Sequence, residues 1–346
     1  MNSFPLIIIS GPTATGKTSF SIKIAKEINA EIINLDSVQM YAKCDIGSAK
    51  PTIEEREGVP HHLFDIFHPN EKNNAAKFLE YAEQAIQDIR SRKKNVIACG
   101  GTMLYLKALL YGLADLPKGD TAIRNELEEL STQDLYEKLI QYDVNSAKKL
   151  HPNDRTRIIR ALEVYLISGL EASKLQESHA FQQPKFNALI LVPCYPRDVL
   201  YKRIDERSKL ILEMGLIQET QQIINEYGKN APVLDTVGYK EAKNYILGNI
   251  SKDELLPAIS QATRQLAKRQ LTFWRNEPKK RDWKIVSNLA NDNNLLLSEM
   301  SSPQSKRTIQ KDIVPTKLSM NEILLMTKEH LHSGSEPEIK ISFFSF

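Results

Sequence analysis

The chain opens with an apolar run at residues 6–9, followed by a glycine-rich loop and then a segment whose apolar positions, Ile22, Ala25 and Ile28, recur at helical spacing. A short continuous apolar run predicts a buried strand and a three-to-four-residue period predicts a helix, so the order is strand, loop, helix. The alternation continues. Residues 31–35 read as a second strand. Residues 75–92 place Ala75, Phe78, Ala82, Ile86 and Ile89 on one helical stripe, and residues 95–99 form a third strand that runs into a second glycine turn at Gly100 and Gly101. Strands alternating with amphipathic helices predict an α/β fold, a parallel sheet flanked by helices.

The pattern changes at residue 116. From there to 185 the chain reads as short amphipathic helices with no β-rich run between them, which predicts an inserted all-helical domain. Its clearest helix follows His151-Pro-Asn-Asp154, with Ile158, Leu162, Tyr165 and Leu166 on one face and Gly169 as its stop; Arg157 and Arg160 point away from that face. A strand returns at 186–192, so the sheet resumes. The helix after Pro196 turns Leu200, Ile204 and Ile211 inward and carries Arg203 and Arg207 on its polar side. A capping box at Ser251 and Glu254 opens a further helix, with Ile259, Ala262, Leu266 and Phe273 on one side and Arg264, Lys268 and Arg275 on the other. Trp274 and Trp283, among Lys279, Lys280, Arg281 and Lys284, read as stacking planes beside phosphate-binding charge. Beyond Val286 the chain becomes rich in Asn, Ser, Asp and Lys, which predicts a flexible, dispensable tail containing one short helix at 321–331. The expected organisation is therefore 1–115 as the first part of the core, 116–185 as the helical insert, 186–286 as the second part of the core and 287–346 as the tail.

Composition adds little to this. Hydrophobic residues at 41% and charged residues at 26% of 346 are ordinary for a soluble globular protein, and no apolar run is long enough to span a bilayer. Cys44, Cys99 and Cys194 are far apart with no paired spacing, and the first strand begins almost at the N-terminus, so the expected compartment is the cytoplasm; a monomer is expected, though no feature of the sequence fixes the oligomeric state. A net charge of +3 says nothing of nucleic acid by itself; the clustering on the 251–275 helix suits RNA phosphates, with a solvated helix face as the alternative.

The chemistry begins at Gly11-Pro12-Thr13-Ala14-Thr15-Gly16-Lys17-Thr18. Between a strand and a helix this is the P-loop pattern of P-loop NTPase-like folds: backbone N–H groups curl around a di- or triphosphate, Lys17 reaches its outer phosphate and the Thr18 hydroxyl can ligate Mg²⁺. The second strand ends at Asp36-Ser37-Val38-Gln39, placing a carboxylate where α/β sheets bind ligands, and Thr102 follows the second glycine turn to the same edge. The bland alternatives are loop capping by Asp36 and helix capping by Thr102. His61 and His62 lack a third metal ligand at a recognised spacing. The third strand ends without the acidic residue that many P-loop ATPases use for Mg²⁺.

Together the motifs are more specific. GPTATGKT (11–18), DSVQMY (36–41), DIGSAKP (45–51), PHHLFDI (60–66), GGTMLYLKAL (100–109), HPNDRTRIIRALEVY (151–165), VGYKEA (237–242) and TRQLAKRQLTFWR (263–275) closely resemble the tRNA dimethylallyltransferase family over about residues 5–276. Small departures are Cys44 for methionine, Asn73-Asn74 for a Tyr-Ser pair and Asp143-Val144 for Asp-Pro. The resemblance implies transfer of a dimethylallyl group from dimethylallyl diphosphate to the N6 amine of the adenosine 3′ of the tRNA anticodon, with Mg²⁺ as cofactor. It implies catalytic roles for Asp36 as the base, Thr102, Lys17 and Arg207. It implies contacts to the anticodon stem-loop by Asp36, Ser37, Val38, Gln39, Thr102, Arg124, Thr156, Arg157, Ile158, Ile159 and Arg160, joined by Arg264 and Lys268 on the basic helix. The residues alone leave open a small-molecule or nucleoside kinase and an RNA-binding ATPase.

Overall fold

The structure, a computed structural model, describes residues 4–179, 183–281, 283–286, 316–333 and 337–345. They fall into two compact units, one drawn from Met1–Leu110 with Pro184–Phe346 and the other from Tyr111–Gln183.

The first unit is built on a parallel sheet. Its strands are β1 (Pro5–Ser10), β2 (Ala30–Asn34), β3 (His61–His62), β4 (Asn95–Gly100), β5 (Asn187–Pro193), β6 (Lys284–Ile285), β7 (Thr316–Lys317) and β8 (Ile339–Ser345). The order is β3-β2-β4-β1-β5-β8-β6, with β7 paired to β8, and every pairing is parallel. Because helices cover such a sheet, its inner strands read as unbroken apolar runs: Leu6–Ile9 and Leu189–Val192 are buried throughout. The first stretch of chain in this unit carries the helices α1 (Lys17–Glu27), α2 (Ala75–Ser91) and α3 (Met103–Tyr111).

The helical unit holds α4 (Thr121–Glu128), α5 (Thr132–Tyr142), α6 (Val144–Lys149), α7 (Arg155–Ser168) and α8 (Ala172–His179). Leu127, Leu135, Leu139, Ile158, Ile159 and Leu162 form its own core. Asp154 caps the start of α7 and Gly169, at φ 71, ends it in the left-handed conformation that glycine adopts without a Cβ clash. The chain then returns to the first unit with α9 (Arg197–Glu213), α10 (Leu216–Tyr227), a short 3-10 turn at Pro232–Asp235, α11 (Tyr239–Ile246), α12 (Lys252–Lys280) and α13 (Met320–His332).

Two expectations are corrected here. Residues 287–346 are not a detached tail: 287–315 lie outside the described residues, but β8 inserts between β5 and β6, and α13 packs on the sheet face that α1 also covers. Leu318, Ile323, Met326 and Phe344 join Ile7, Ile9, Phe20 and Leu191 in one core cluster. Polar composition over 287–315 hid a seven-residue strand whose Ile339, Ile341 and Phe344 are buried. Trp274 and Trp283 are not stacking planes for RNA either, being 1% and 6% exposed and packed against each other at 6.2 Å. The buried stripe of α12 runs through Ile259, Ala267, Gln270 and Trp274, so Leu266 and Phe273 sit at its margin.

Candidate active site

The carboxyl ends of β1, β2 and β4 lie at one sheet edge, and each delivers a loop that carries chemistry. Close backbone approach fixes their relation. Leu35 N–H donates to the Cys99 carbonyl at 2.8 Å and Thr102 N–H donates to the Leu35 carbonyl at 3.1 Å. A Cβ on Gly100 would meet the Leu35 carbonyl carbon at 2.4 Å and the Asp36 nitrogen at 2.7 Å, so only glycine permits the approach.

The P-loop joins β1 to α1. Ala14 (φ 62) and Gly16 (φ 80) both have left-handed backbones, which turn the chain back on itself ahead of the helix N-terminus. Thr15 Oγ1 donates to the Pro12 carbonyl at 2.9 Å, and Lys17 Nζ donates to the same oxygen at 2.6 Å, holding the lysine across the loop. Burial pulls the Lys17 ammonium down to about 8; the Arg207 charge acts in the same direction, while Cys99 and Asp36 oppose it. Arg207, on α9, is also lowered by burial and held up by the Asp36 charge. Lys17, Arg207 and Asp36 thus share one electrostatic neighbourhood.

Among the described residues, Asp36 is held through one carboxylate oxygen only. Its N–H donates to Asn34 Oδ1 at 2.9 Å, and its own Oδ1 accepts the Val38 N–H at 2.9 Å. The turn it caps is therefore real, and the cap uses one carboxylate oxygen. Thr102 Oγ1 accepts the Ser37 N–H at 3.0 Å and lies 3.3 Å from Ser37 Oγ, so Thr102 pins the segment after Asp36. Gln39 Nε2 donates to the Ser48 and Ala49 carbonyls at 3.2 and 3.1 Å.

Several residues that pattern reading passed over hold this edge together. Asn73, one of the departures from the family pattern, donates Nδ2 to the Ser37 carbonyl at 3.0 Å and accepts the Tyr105 hydroxyl at 2.6 Å. Glu219 accepts the N–H groups of Asp45, Ile46 and Gly47 at 2.8–2.9 Å and the Tyr239 hydroxyl at 2.6 Å, knitting DIGSAKP to VGYKEA. Lys50, almost fully buried, pairs with Asp45 and Asp65 at 2.7 and 2.6 Å, tying DIGSAKP to PHHLFDI. Gln270 and Arg203 reach the P-loop itself. The sequence pattern already places Arg203 on the polar side of its helix and marks Asn73 as a departure from the family pattern, and Gln270 leaves a signal as a polar residue on an otherwise buried stripe. His61 and His62 turn elsewhere: His62 Nε2 lies 2.7 Å from Glu31 and His61 Nδ1 lies 2.8 Å from the Val59 carbonyl. A cleft of about 1040 Å³ lined by Lys43, Asp45, Met214 and Glu226 contains none of the predicted site residues.

In the helical unit, Ile158 and Ile159 are buried at 0% and 7% exposure, so their side chains are core residues and not RNA contacts; they lie on the apolar side of the same helix that carries Arg157. Thr156 and Arg157 are exposed, with Arg157 3.2 Å from Asp154. Arg124 and Arg160 do not simply project outward. Both grip the fully buried Glu163, at 2.8 and 2.5 Å, and Arg160 Nη2 also donates to the Pro117 carbonyl at 2.8 Å. Each keeps about a third of its side chain exposed. On α12, Lys268 is exposed, whereas Arg264 pairs with Asp205 at 2.5 Å and lies over the Tyr201 ring.

A family model described as IPP transferase matches residues 39–277, a range that begins after the P-loop. A tRNA dimethylallyltransferase 1 of Citrifermentans bemidjiense is 42% identical over 273 residues, 79% of this chain and 89% of that protein. Among solved structures, a tRNA delta(2)-isopentenylpyrophosphate transferase from Staphylococcus epidermidis is 40% identical, with a TM-score of 0.57 and coverage of 79% of this chain and 90% of that one. A eukaryotic dimethylallyltransferase acting on tRNA is 31% identical, with a TM-score of 0.69 and coverage of 78% and 70%. With a family model matching more than half of the chain and relatives about 40% identical over 79% of it, the chain belongs to the tRNA dimethylallyltransferase (IPP transferase) family.

Proposed function

We propose that this protein transfers a dimethylallyl group from dimethylallyl diphosphate to the exocyclic N6 amine of the adenosine 3′-adjacent to the tRNA anticodon (position 37), giving N6-dimethylallyladenosine and diphosphate. The observation that carries the reading is the placement of Asp36: a carboxylate with one oxygen fixed by the Val38 N–H and the other left for a substrate, in the field of Lys17 and Arg207 beside a phosphate loop.

The geometry divides the labour. An allylic C–O bond breaks with positive charge developing on carbon and negative charge on the departing diphosphate, so the loop N–H groups, the N-terminus of α1, Lys17 and Arg207 stabilise the leaving group. The adenine N6 amine is a poor nucleophile because its lone pair is delocalised into the ring, and it must lose a proton as it bonds carbon. Asp36 accepts that proton through its uncommitted oxygen. Thr102 and Asn73 hold the backbone of Ser37, which keeps Asp36 aimed. A base stacked in an anticodon loop has to be everted to reach such an edge, as for other base-modifying enzymes.

The donor chemistry suits Mg²⁺. Among the described residues no group of three or more His, Cys, Asp or Glu side chains could hold a metal alone. Mg²⁺ prefers hard oxygen donors and is commonly shared between substrate phosphates and one or two protein groups, and the Thr18 hydroxyl at the start of α1 would hold it. When bound it adds charge stabilisation to the diphosphate. Exposed Arg157 and Lys268, and the exposed parts of Arg124 and Arg160, supply cationic contacts for RNA phosphates.

The test offers unmodified tRNA together with labelled dimethylallyl diphosphate or γ-labelled ATP. Label from the dimethylallyl donor entering RNA at a single adenosine is the expected result; label only from ATP would replace this reading with phosphoryl transfer.

A further inference from the structure

Two peptide groups of the phosphate loop are held by side chains distant in sequence, on α9 and α12. The Thr13 N–H donates to Gln270 Oε1 at 2.9 Å, and Gln270 Nε2 donates to the Gly101 carbonyl at 2.9 Å. One side-chain amide on α12, 5% exposed, thus bridges the loop that meets the leaving group and the turn that leads to Thr102. At the next residue, Arg203 of α9 donates Nε to the Ala14 carbonyl at 2.8 Å. Ala14 is left-handed at φ 62, a conformation a residue with a Cβ keeps only when its surroundings impose it, so the loop's shape depends on these outside bonds.

The chemistry of the bridge is selective. It needs an acceptor for an N–H and a donor for a C=O on one planar group, which an amide supplies and a carboxylate does not. Asparagine is one methylene too short to span both. The approach also needs glycine at 101, since a Cβ there would lie 2.6 Å from Gln270 Nε2.

Gln270 belongs to the same helix as Arg264 and Lys268, and Arg264 is bonded to Asp205, two residues along α9 from both Arg203 and Arg207. The basic face and the bridge are parts of one helix. We propose that Gln270 is a positioning residue: it sets the phosphate loop against the Gly101 turn, so that leaving group and acceptor side meet in register, and it transmits occupancy of the α12 basic face to diphosphate affinity. The transmission rests on the RNA-transfer reading above; the setting of the loop does not.

The test compares the wild-type full chain with Gln270→Met, which keeps the volume and loses both bonds, Gln270→Glu, which keeps only the acceptor, and Gly101→Ala, which displaces the amide while leaving it present. Calorimetry with inorganic pyrophosphate and Mg²⁺, alone and with an anticodon stem-loop RNA, is read beside thermal unfolding. Gln270→Met should weaken pyrophosphate about tenfold, with the melting temperature within about 2 °C of wild type. RNA should tighten pyrophosphate several-fold in the wild type, and this factor should fall to about one in the variant, with RNA affinity alone unchanged. Gly101→Ala should reproduce the pyrophosphate loss, and Gln270→Glu should bind more weakly still. Pyrophosphate affinity within twofold of wild type in both Gln270→Met and Gly101→Ala overturns the positioning role, and the other two variants decide it should one of the three fail to fold. A wild-type factor of one, or an equal factor in wild type and variant, overturns the transmission. Failure of the wild type to bind the RNA or transfer label overturns the transmission together with the RNA-transfer reading, while the pyrophosphate arm still decides the loop.

Discussion

Phe344→Ala should destabilise the sheet-bearing unit by about 3 kcal/mol. Phe344 is fully buried in β8, and its ring centroid lies 5.1 Å from that of Phe20 on α1, three residues after Lys17. Burying a phenylalanine and leaving a cavity when it is cut to alanine is worth about 3–5 kcal/mol, and an aromatic pair contributes about 0.5–1.5 kcal/mol of that beyond area alone. The lower end applies because the side of β8 away from β5 is paired only by the two-residue strands β6 and β7, with β7 meeting Phe344, so the backbone there can relax into part of the cavity. Roughly 2–4 °C per kcal/mol holds for domains of 150–250 residues, which predicts a fall in melting temperature of about 6–12 °C. Urea unfolding followed by intrinsic fluorescence measures the change, with exposed Leu325→Ala on α13 as a control expected within about 0.5 kcal/mol of wild type. A Phe20→Leu, Phe344→Ala cycle should return a coupling of about 0.5–1.5 kcal/mol. Destabilisation under about 1 kcal/mol with no coupling would refute the placement of β8 in the sheet.

Two further outcomes concern charge. Lys17 in the free protein titrates near 8 because of burial, and a bound diphosphate holds it protonated, so its pKa rises on binding. Affinity is then fully present below pH 8 and lost as pH climbs through it, about tenfold by pH 9 relative to pH 7, read as the KM for dimethylallyl diphosphate at fixed free Mg²⁺; a flat profile contradicts this. Lys268→Ala should lower the salt dependence of tRNA binding by about 0.7–0.9 in log–log slope with diphosphate binding unchanged, whereas Arg264→Ala, which also frees Asp205, should in addition lower thermal stability. An unchanged slope for Lys268→Ala would make it a solvated surface residue.

The parts of this molecule that follow from short-range pattern were legible in the sequence. The strand at β1, the P-loop and α1 are contiguous in the chain, and the apolar runs of β4 and β5 fall within a residue or so of where periodicity places them. What was not legible depends on partners far apart in sequence. The Thr13 to Gln270 bond spans 257 positions, and although Gln270 is a polar residue on a buried stripe, nothing local in either segment names its partner. The basic residues 264 and 268 look alike on a helical wheel, yet Asp205 takes one and leaves the other exposed. Helical spacing turns Arg160 away from the apolar face of its helix, but it cannot show that Glu163 is buried there and takes Arg160 together with Arg124 and the Asp120 N–H. Strand β8 escaped notice because its partner, β5, lies about 150 residues earlier.

The central claim is that Asp36 takes the proton from the attacking amine while the loop holds the leaving group. Asp36→Asn tests it most directly. Asparagine keeps an oxygen able to accept the Val38 N–H, so the turn should survive, but it removes the charge and the basicity. Single-turnover transfer from dimethylallyl diphosphate to tRNA, measured beside equilibrium binding of each substrate, should show the chemical step slowed by about 10²- to 10⁴-fold with both affinities within a few-fold of wild type. Near-normal turnover, or binding lost in proportion to rate, would contradict the account.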